Sequence, residues 1–159
     1  ACLVGSEMCI RDRSDSAIQN LVSYFEAQEE PTIIVFFGDH QPADSVVRPV
    51  WKLNGKDDAD LTDEEEALRY KVPFFIWANF DIETENDLEI SANYLAAKTL
   101  DAAGLPKSAY DNFLSQLRTE VPVISANHVT LSDGTFTTAS KQKDLLYDYQ
   151  TLQYYLLFD

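Results

Sequence analysis

The chain is poor in several things that would have made its reading simple. It has two cysteines in 159 residues. Cys2 and Cys9 both fall in the first nine positions, so the part expected to fold has none. That usage is compatible with an extracellular bacterial domain and says little more. No run of about 18 apolar residues exists, so no segment here reads as a transmembrane helix. No basic stretch leads into a short apolar one, so no segment reads as a signal peptide. Positive charge is scarce: 12 Lys and Arg stand against 27 Asp and Glu, a formal net charge of −15. Nucleic-acid phosphates and anionic membrane surfaces would both be repelled. The acidic excess itself mainly serves solubility. Internal repeats and low-complexity tracts are missing as well.

What is there suffices for a core. Hydrophobic residues make up 45% and aromatics 12% of the chain, which excludes a disordered sequence. The length suits one ordinary domain or part of a larger one.

The most informative stretch is Pro31-Thr32-Ile33-Ile34-Val35-Phe36-Phe37-Gly38-Asp39-His40-Gln41-Pro42. Thr32 to Phe37 are all β-branched or aromatic, the pattern of a strand buried on both faces of a parallel sheet. Pro31 precedes it, where its missing N–H does least harm. Gly38 permits a sharp turn, and an acid, an imidazole and an amide follow at once. Ligands of open α/β sheets bind beyond the carboxyl ends of strands, and a carboxylate beside an imidazole is half a site for a divalent metal. The plainer reading is a solvated turn in which Asp39 caps the next segment.

Three blocks in order carry a resemblance. Phe37-Gly38-Asp39-His40-Gln41-Pro42 after an apolar strand, then Val72 to Asn79, then Ile90-Ser91-Ala92-Asn93-Tyr94-Leu95, resemble the lipoteichoic-acid synthase-like sulfatases of the alkaline phosphatase superfamily. The resemblance runs from about Ser14 to the end. It implies an α/β fold: a partial alkaline-phosphatase-like sheet flanked by helices, with a small C-terminal hairpin-plus-helix region.

Residues 1–13 have no clear period and resemble a translated sequencing-adapter read-through. They are set aside from the fold, which makes the chain a C-terminal fragment in expectation. Residues 14–104 are read as the C-terminal part of the sulfatase-like core, and 105–159 as a helical and hairpin extension of it. Ile18, Leu21, Val22 and Phe25 mark a helix over 14–28, capped by Ser14 or Ser16. Residues 43–60 read as an irregular connection holding at most a short helix. Thr62-Asp63-Glu64-Glu65 is a capping box for a helix over about 63–69. Val72 to Asn79 is a second buried strand, with Pro73 at its start. Ser91 is expected to cap a helix over about 92–103 that Gly104 stops. A further helix over about 107–119 buries Tyr110, Phe113, Leu114 and Leu117. Val121 to Ile124 is a short strand, Ser132-Asp133-Gly134 the turn of a hairpin, and 143–158 the last helix.

The resemblance assigns Asp39 and His40 to a divalent ion, Mn2+ or Mg2+, with Zn2+ ranked behind. Such an ion polarises a phosphoryl oxygen and activates a hydroxyl nucleophile. The family's nucleophilic Thr, its remaining acidic ligand and its substrate-binding histidines belong upstream, and nothing before Ser14 supplies them, so no catalytic residue is assigned in this chain. Gln41 and Asn79 are the substrate-binding candidates; each has a structural alternative, Gln41 bonding its loop and Asn79 capping the turn into Phe80-Asp81. His128 reads as a surface histidine, and a triad of Ser125, His128 and Asp133 lacks a nucleophile-elbow sequence. The implied parent is a phosphoglycerol transferase, moving glycerol phosphate from phosphatidylglycerol to an envelope polymer. Its implied place is the outer face of a bacterial cell membrane, held there only by upstream helices. Alternatives are a sulfatase or phosphodiesterase on the same scaffold, or a non-catalytic extracellular binding module. A lipid-linked phosphoglycerol substrate is the expected partner; oligomeric state stays open.

Overall fold

The computed structural model describes residues 3–158. It is a mixed α/β structure with two small sheets and six α-helices among those residues. Two compact units divide it: residues 1–37 with 73–84, and residues 38–72 with 85–159.

The first unit holds α1 (Leu3–Glu26), β1 (Ile33–Phe37) and β2 (Phe74–Ala78). Helix α1 starts at Leu3, not at Ser14 as expected. Met, Glu and Arg are good helix formers and nothing from Ser6 to Arg13 breaks the run. Ser16 therefore lies inside the helix, where its Oγ donates to the Asp12 carbonyl at 2.8 Å, instead of capping a terminus. Ile18, Val22 and Phe25 are the half-buried positions of α1, while Leu21 is exposed.

β1 and β2 pair antiparallel, with Ile33 opposite Ala78 and Phe37 opposite Phe74. This corrects the expectation of a parallel sheet. An apolar run reports burial and carries no information on the partner's direction. Burial is also less than expected: all five residues of β2 are half-buried, and Phe36 and Phe37 of β1 are exposed. Phe36 stacks on Phe75 with centroids 5.3 Å apart, a cross-strand pair of the kind that stabilises small sheets.

In the second unit, the irregular connection contains α2 (Asp44–Leu53), a full helix despite Pro49. α3 (Asp63–Ala67) begins with the expected capping box: the Glu65 N–H donates to Thr62 Oγ1 at 3.3 Å, and the Thr62 N–H to Glu65 Oε2 at 3.1 Å. A 3-10 turn, Leu68–Tyr70, follows. α4 (Leu95–Ala102) ends before Gly104, whose φ of 65° is the left-handed conformation a helix stop requires. Ser91 does not cap this helix. Its Oγ donates to the Ile124 carbonyl at 2.8 Å and accepts the Ile124 N–H at 2.6 Å, tying the chain to a strand 33 residues on. α5 (Ala109–Glu120) opens with a Ser108–Asp111 capping box.

β3 (Val123–Ile124), β4 (His128–Thr130) and β5 (Phe136–Thr138) form an antiparallel sheet in chain order. The expected hairpin turn is present, with Gly134 at φ 84°. α6 spans Lys143–Phe158. The fully packed core belongs to this unit: Tyr94, Ala97, Leu114, Leu117, Val121, Val129, Leu146 and Tyr149. Tyr94 is 1% exposed and donates its hydroxyl to the Val121 carbonyl at 2.8 Å, so the buried polar tip is satisfied.

Candidate metal centre

Gly38 follows β1, and Asp39, His40 and Gln41 come next as an extended loop leading into α2. Three bonds shape this loop. The His40 N–H donates to Asp39 Oδ1 at 2.9 Å. His40 Nδ1 lies 2.9 Å from the Gln41 carbonyl oxygen. Gln41 Nε2 donates to the Lys71 carbonyl, so Gln41 bonds the loop to the segment preceding β2.

The His40–Gln41 contact sets the imidazole's chemistry. A carbonyl oxygen only accepts, so Nδ1 must carry the proton. In the neutral ring Nε2 then presents a lone pair. That lone pair lies 3.4 Å from Asp39 Oδ2. Two electron-rich atoms at that distance repel unless a positive charge joins them. A second proton on His40 would make an exposed ion pair, which is worth little. A divalent ion would use both atoms at once. Donors that each sit about 2.1 Å from one ion are roughly 3.4 Å apart at a tetrahedral angle, as for Zn2+, and roughly 3.0 Å apart at the octahedral angle of Mn2+ or Mg2+, which a small side-chain rotation would reach. A hard oxygen and a borderline nitrogen suit Mn2+, Mg2+ or Zn2+. Both side chains are open to solvent, at 84% and 78% exposed. The donor types and their spacing therefore fit, but the number falls short: among the described residues no group of three or more His, Cys, Asp or Glu could hold an ion.

Asp39 and His40 line an open depression of about 460 Å³ together with Gln41, Asp44, Arg69 and Tyr70. Arg69 escaped the sequence reading. The available signal was the pair of cations, Arg69 and Lys71, that ends an acidic run shortly before the second strand. Its guanidinium donates to Asp44 Oδ1 and lies 5.3 Å over the Trp51 ring. The Arg69 hydrogen bond is the main cause holding the Asp44 carboxyl below its usual range.

The other candidates lie elsewhere. Asn79 sits beside Thr32, at the end of the β1–β2 ladder away from Phe37. Its amide is engaged with backbone on both sides. His128 is not a plain surface residue. Its side chain is 20% exposed, stacked on Phe136 with centroids 4.9 Å apart, with Nε2 3.6 Å from Asp63 Oδ2. Ser125 bonds the backbone of His128, and Asp133 accepts the Thr135 N–H in its own turn.

The sulfatase family profile matches residues 12–105, more than half the chain, and takes in Asp39, His40, Arg69 and Asn79. The chain belongs to the sulfatase family. The wider alkaline phosphatase-like superfamily generally uses divalent metals. The chain is also 24% identical over 152 residues to a Rhizobium meliloti (strain 1021) protein whose name assigns it to cyclic beta-1,2-glucan modification. That alignment covers 91% of this chain and 24% of the relative, so the chain spans about a quarter of the relative's length. No solved structure matches.

Proposed function

We propose that this chain is part of a metal-dependent phosphoglycerol transferase of the lipoteichoic-acid synthase type. Its donor would be phosphatidylglycerol and its acceptor a cell-envelope polymer or glycan. Its place would be the outer face of a bacterial membrane. The observation that carries the reading is the Asp39–His40 pair, with its lone-pair atoms 3.4 Å apart and the imidazole held by the Gln41 carbonyl.

Asp39 Oδ2 and His40 Nε2 would hold the ion. When bound, Mn2+ or Mg2+ supplies Lewis-acid polarisation of a phosphoryl oxygen and lowers the cost of ionising a nucleophilic hydroxyl. The Gln41 carbonyl fixes the imidazole tautomer, the outer-shell duty usual for metal-ligating histidines. Gln41, tied to Lys71, keeps the loop from swinging the pair apart. The name of the relative supports a saccharide acceptor, which would place the chain among enzymes that decorate envelope glycans with glycerol phosphate.

A sulfatase or phosphodiesterase on the same scaffold is the second reading, favoured by the family's own chemistry. One experiment separates them. The complete parent gene is expressed and incubated with Mn2+ and phosphatidylglycerol labelled in its headgroup. Transfer of label to a glycan or polymer, with diacylglycerol release that Asp39→Ala abolishes, is the expected result. Label appearing only as free glycerol phosphate, or release of sulfate from an aryl sulfate ester, would replace the transferase with a hydrolase.

A further inference from the structure

Two depressions in the second unit share a wall. One holds Asp39 and His40. The other, about 250 Å³, is lined by Val47, Trp51, Leu61 and Leu68 among others. Gln41 and Arg69 belong to both. Among the residues lining the first depression, Arg69 carries the permanent positive charge.

Arg69 is held in place from two sides. Asp44, the first residue of α2, accepts from Nη2, and its other carboxylate oxygen is 3.2 Å from Arg48 Nη2. The Trp51 ring covers the guanidinium face at 5.3 Å. The side chain is 30% exposed, so it is neither a loose surface cation nor a sealed one. A planar fork fixed in advance loses little entropy on binding an oxyanion, and guanidinium matches the edge of a phosphate.

We propose that Arg69 is the substrate-positioning residue of this site. It seats the tetrahedral oxyanion of a phosphate ester beside Asp39 and His40, while the Trp51 depression takes the less polar remainder of the substrate. Asp44 is then the orienting group, and its carboxylate competes weakly with the ligand for the same guanidinium. This assignment rests on reading Asp39 and His40 as the reacting centre, but its anion-binding part can be measured without any metal.

The probe is inorganic phosphate, titrated into the full 159-residue chain in chelator at low ionic strength and followed by 31P NMR. Arg69→Gln weakens phosphate binding by about tenfold, the scale of one charge-assisted hydrogen bond. Lys141→Gln, an equal charge loss at an exposed position that lines neither depression, leaves it within about twofold, as expected for a solvent-screened charge. Asp44→Asn breaks the same bridge but keeps the cation, and it leaves binding as tight or tighter. Equal losses in Arg69→Gln and Lys141→Gln would overturn the proposal, since the effect would then be general charge. A loss in Asp44→Asn matching that in Arg69→Gln would also overturn it, because Arg69 would be only a bridge between α2 and the turn after α3. Should Arg69→Gln lose the near-ultraviolet circular dichroism of its tryptophans, Asp44→Asn decides alone by the sign of its effect. The metal reading is tested separately by adding Mn2+: an enhancement that Asp39→Ala removes supports it, and its failure leaves the Arg69 result standing.

Discussion

The side-chain oxygen of Asn79 accepts the Thr32 N–H at 2.8 Å, and the Asn79 N–H donates to the Thr32 carbonyl at 3.1 Å. The same amide turns its Nδ2 toward the carbonyls of Phe25, Gln28 and Glu30, at 3.1, 3.1 and 2.9 Å. One side chain thus joins the end of α1, the loop after it and the start of β1. Asn79→Ala should cost about 1–3 kcal/mol, the penalty for leaving such groups without partners. Asn79→Asp should cost more, because a carboxylate would face three carbonyl oxygens. Urea midpoints of the two variants check this. An Asn79→Asp variant as stable as the parent would mean that the amide does not hold these segments together.

The core tyrosines give a pH dependence with a definite sign. Burial raises the pKa of Tyr94, Tyr149 and Tyr110 above the ordinary 10.0. Each is therefore neutral in the folded chain at pH values where the unfolded chain has begun to ionise. Their contribution is complete below about pH 10 and is lost as pH rises through the raised folded values. Stability should be flat across neutral pH and fall steeply in alkali. Tyr149→Phe removes one of these titrations and should flatten the alkaline limb, although it also gives up the bonds from Asn93 and Gln153 at 3.0 and 2.6 Å. Guanidinium midpoints at several pH values up to about 11 test it; an alkaline limb of unchanged slope would refute the assignment to these rings.

Much of the second unit was legible because its signals are local. The α6 boundaries at Lys143 and Phe158, the turn at Ser132–Gly134 and the Thr62–Glu65 box all follow from short-range spacing and side-chain chemistry. What was not legible depends on partners far along the chain. The direction of β2 against β1 is invisible in an apolar run. Ser91 looks like a cap until Ile124 is seen to take its hydroxyl. His128 looks exposed until Phe136 and Asp63 are placed beside it. At the site, Asp39 and His40 were read from adjacency, but the tautomer depends on the Gln41 carbonyl and so on loop geometry. Arg69 joined the site only through Asp44 and Trp51, 25 and 18 positions earlier in the chain.

Residues 1–13 are proposed to be foreign to the fold, even though the helix runs through them from Leu3. Asp12 to Ala17 are exposed, and among the side chains described in α1 the half-buried ones begin at Ile18. Most helical stability in a domain comes from the packed face, and residues 12–17 contribute none of it. Deleting 1–13 should therefore leave the thermal midpoint unchanged within error. A drop of several degrees, equivalent to roughly 1 kcal/mol in a chain this size, would show that these turns belong to the domain.

Zinc-type sites use about three or four protein ligands, and the donors brought together here are Asp39 and His40. Two ligands leave an ion mostly hydrated and easily lost. Both side chains are largely solvent-exposed, so water screens the ion and weakens its pull on a phosphoryl group. The depression around the pair is lined by no Ser, Thr or Cys among the described residues, so a bound ion would have little besides water to activate. Covalent catalysis, which divides a difficult transfer into two easier steps, would be missing. Weak Mn2+ binding that Asp39→Ala and His40→Ala each remove, with no phosphodiester turnover, is the expected behaviour of the isolated 159-residue chain. Manganese relaxation measurements report the binding, and release of p-nitrophenol from a bis-p-nitrophenyl phosphate reports the turnover. Turnover that disappears in Asp39→Ala would mean that this chain completes a catalytic site by itself, with ligands beyond the two named here.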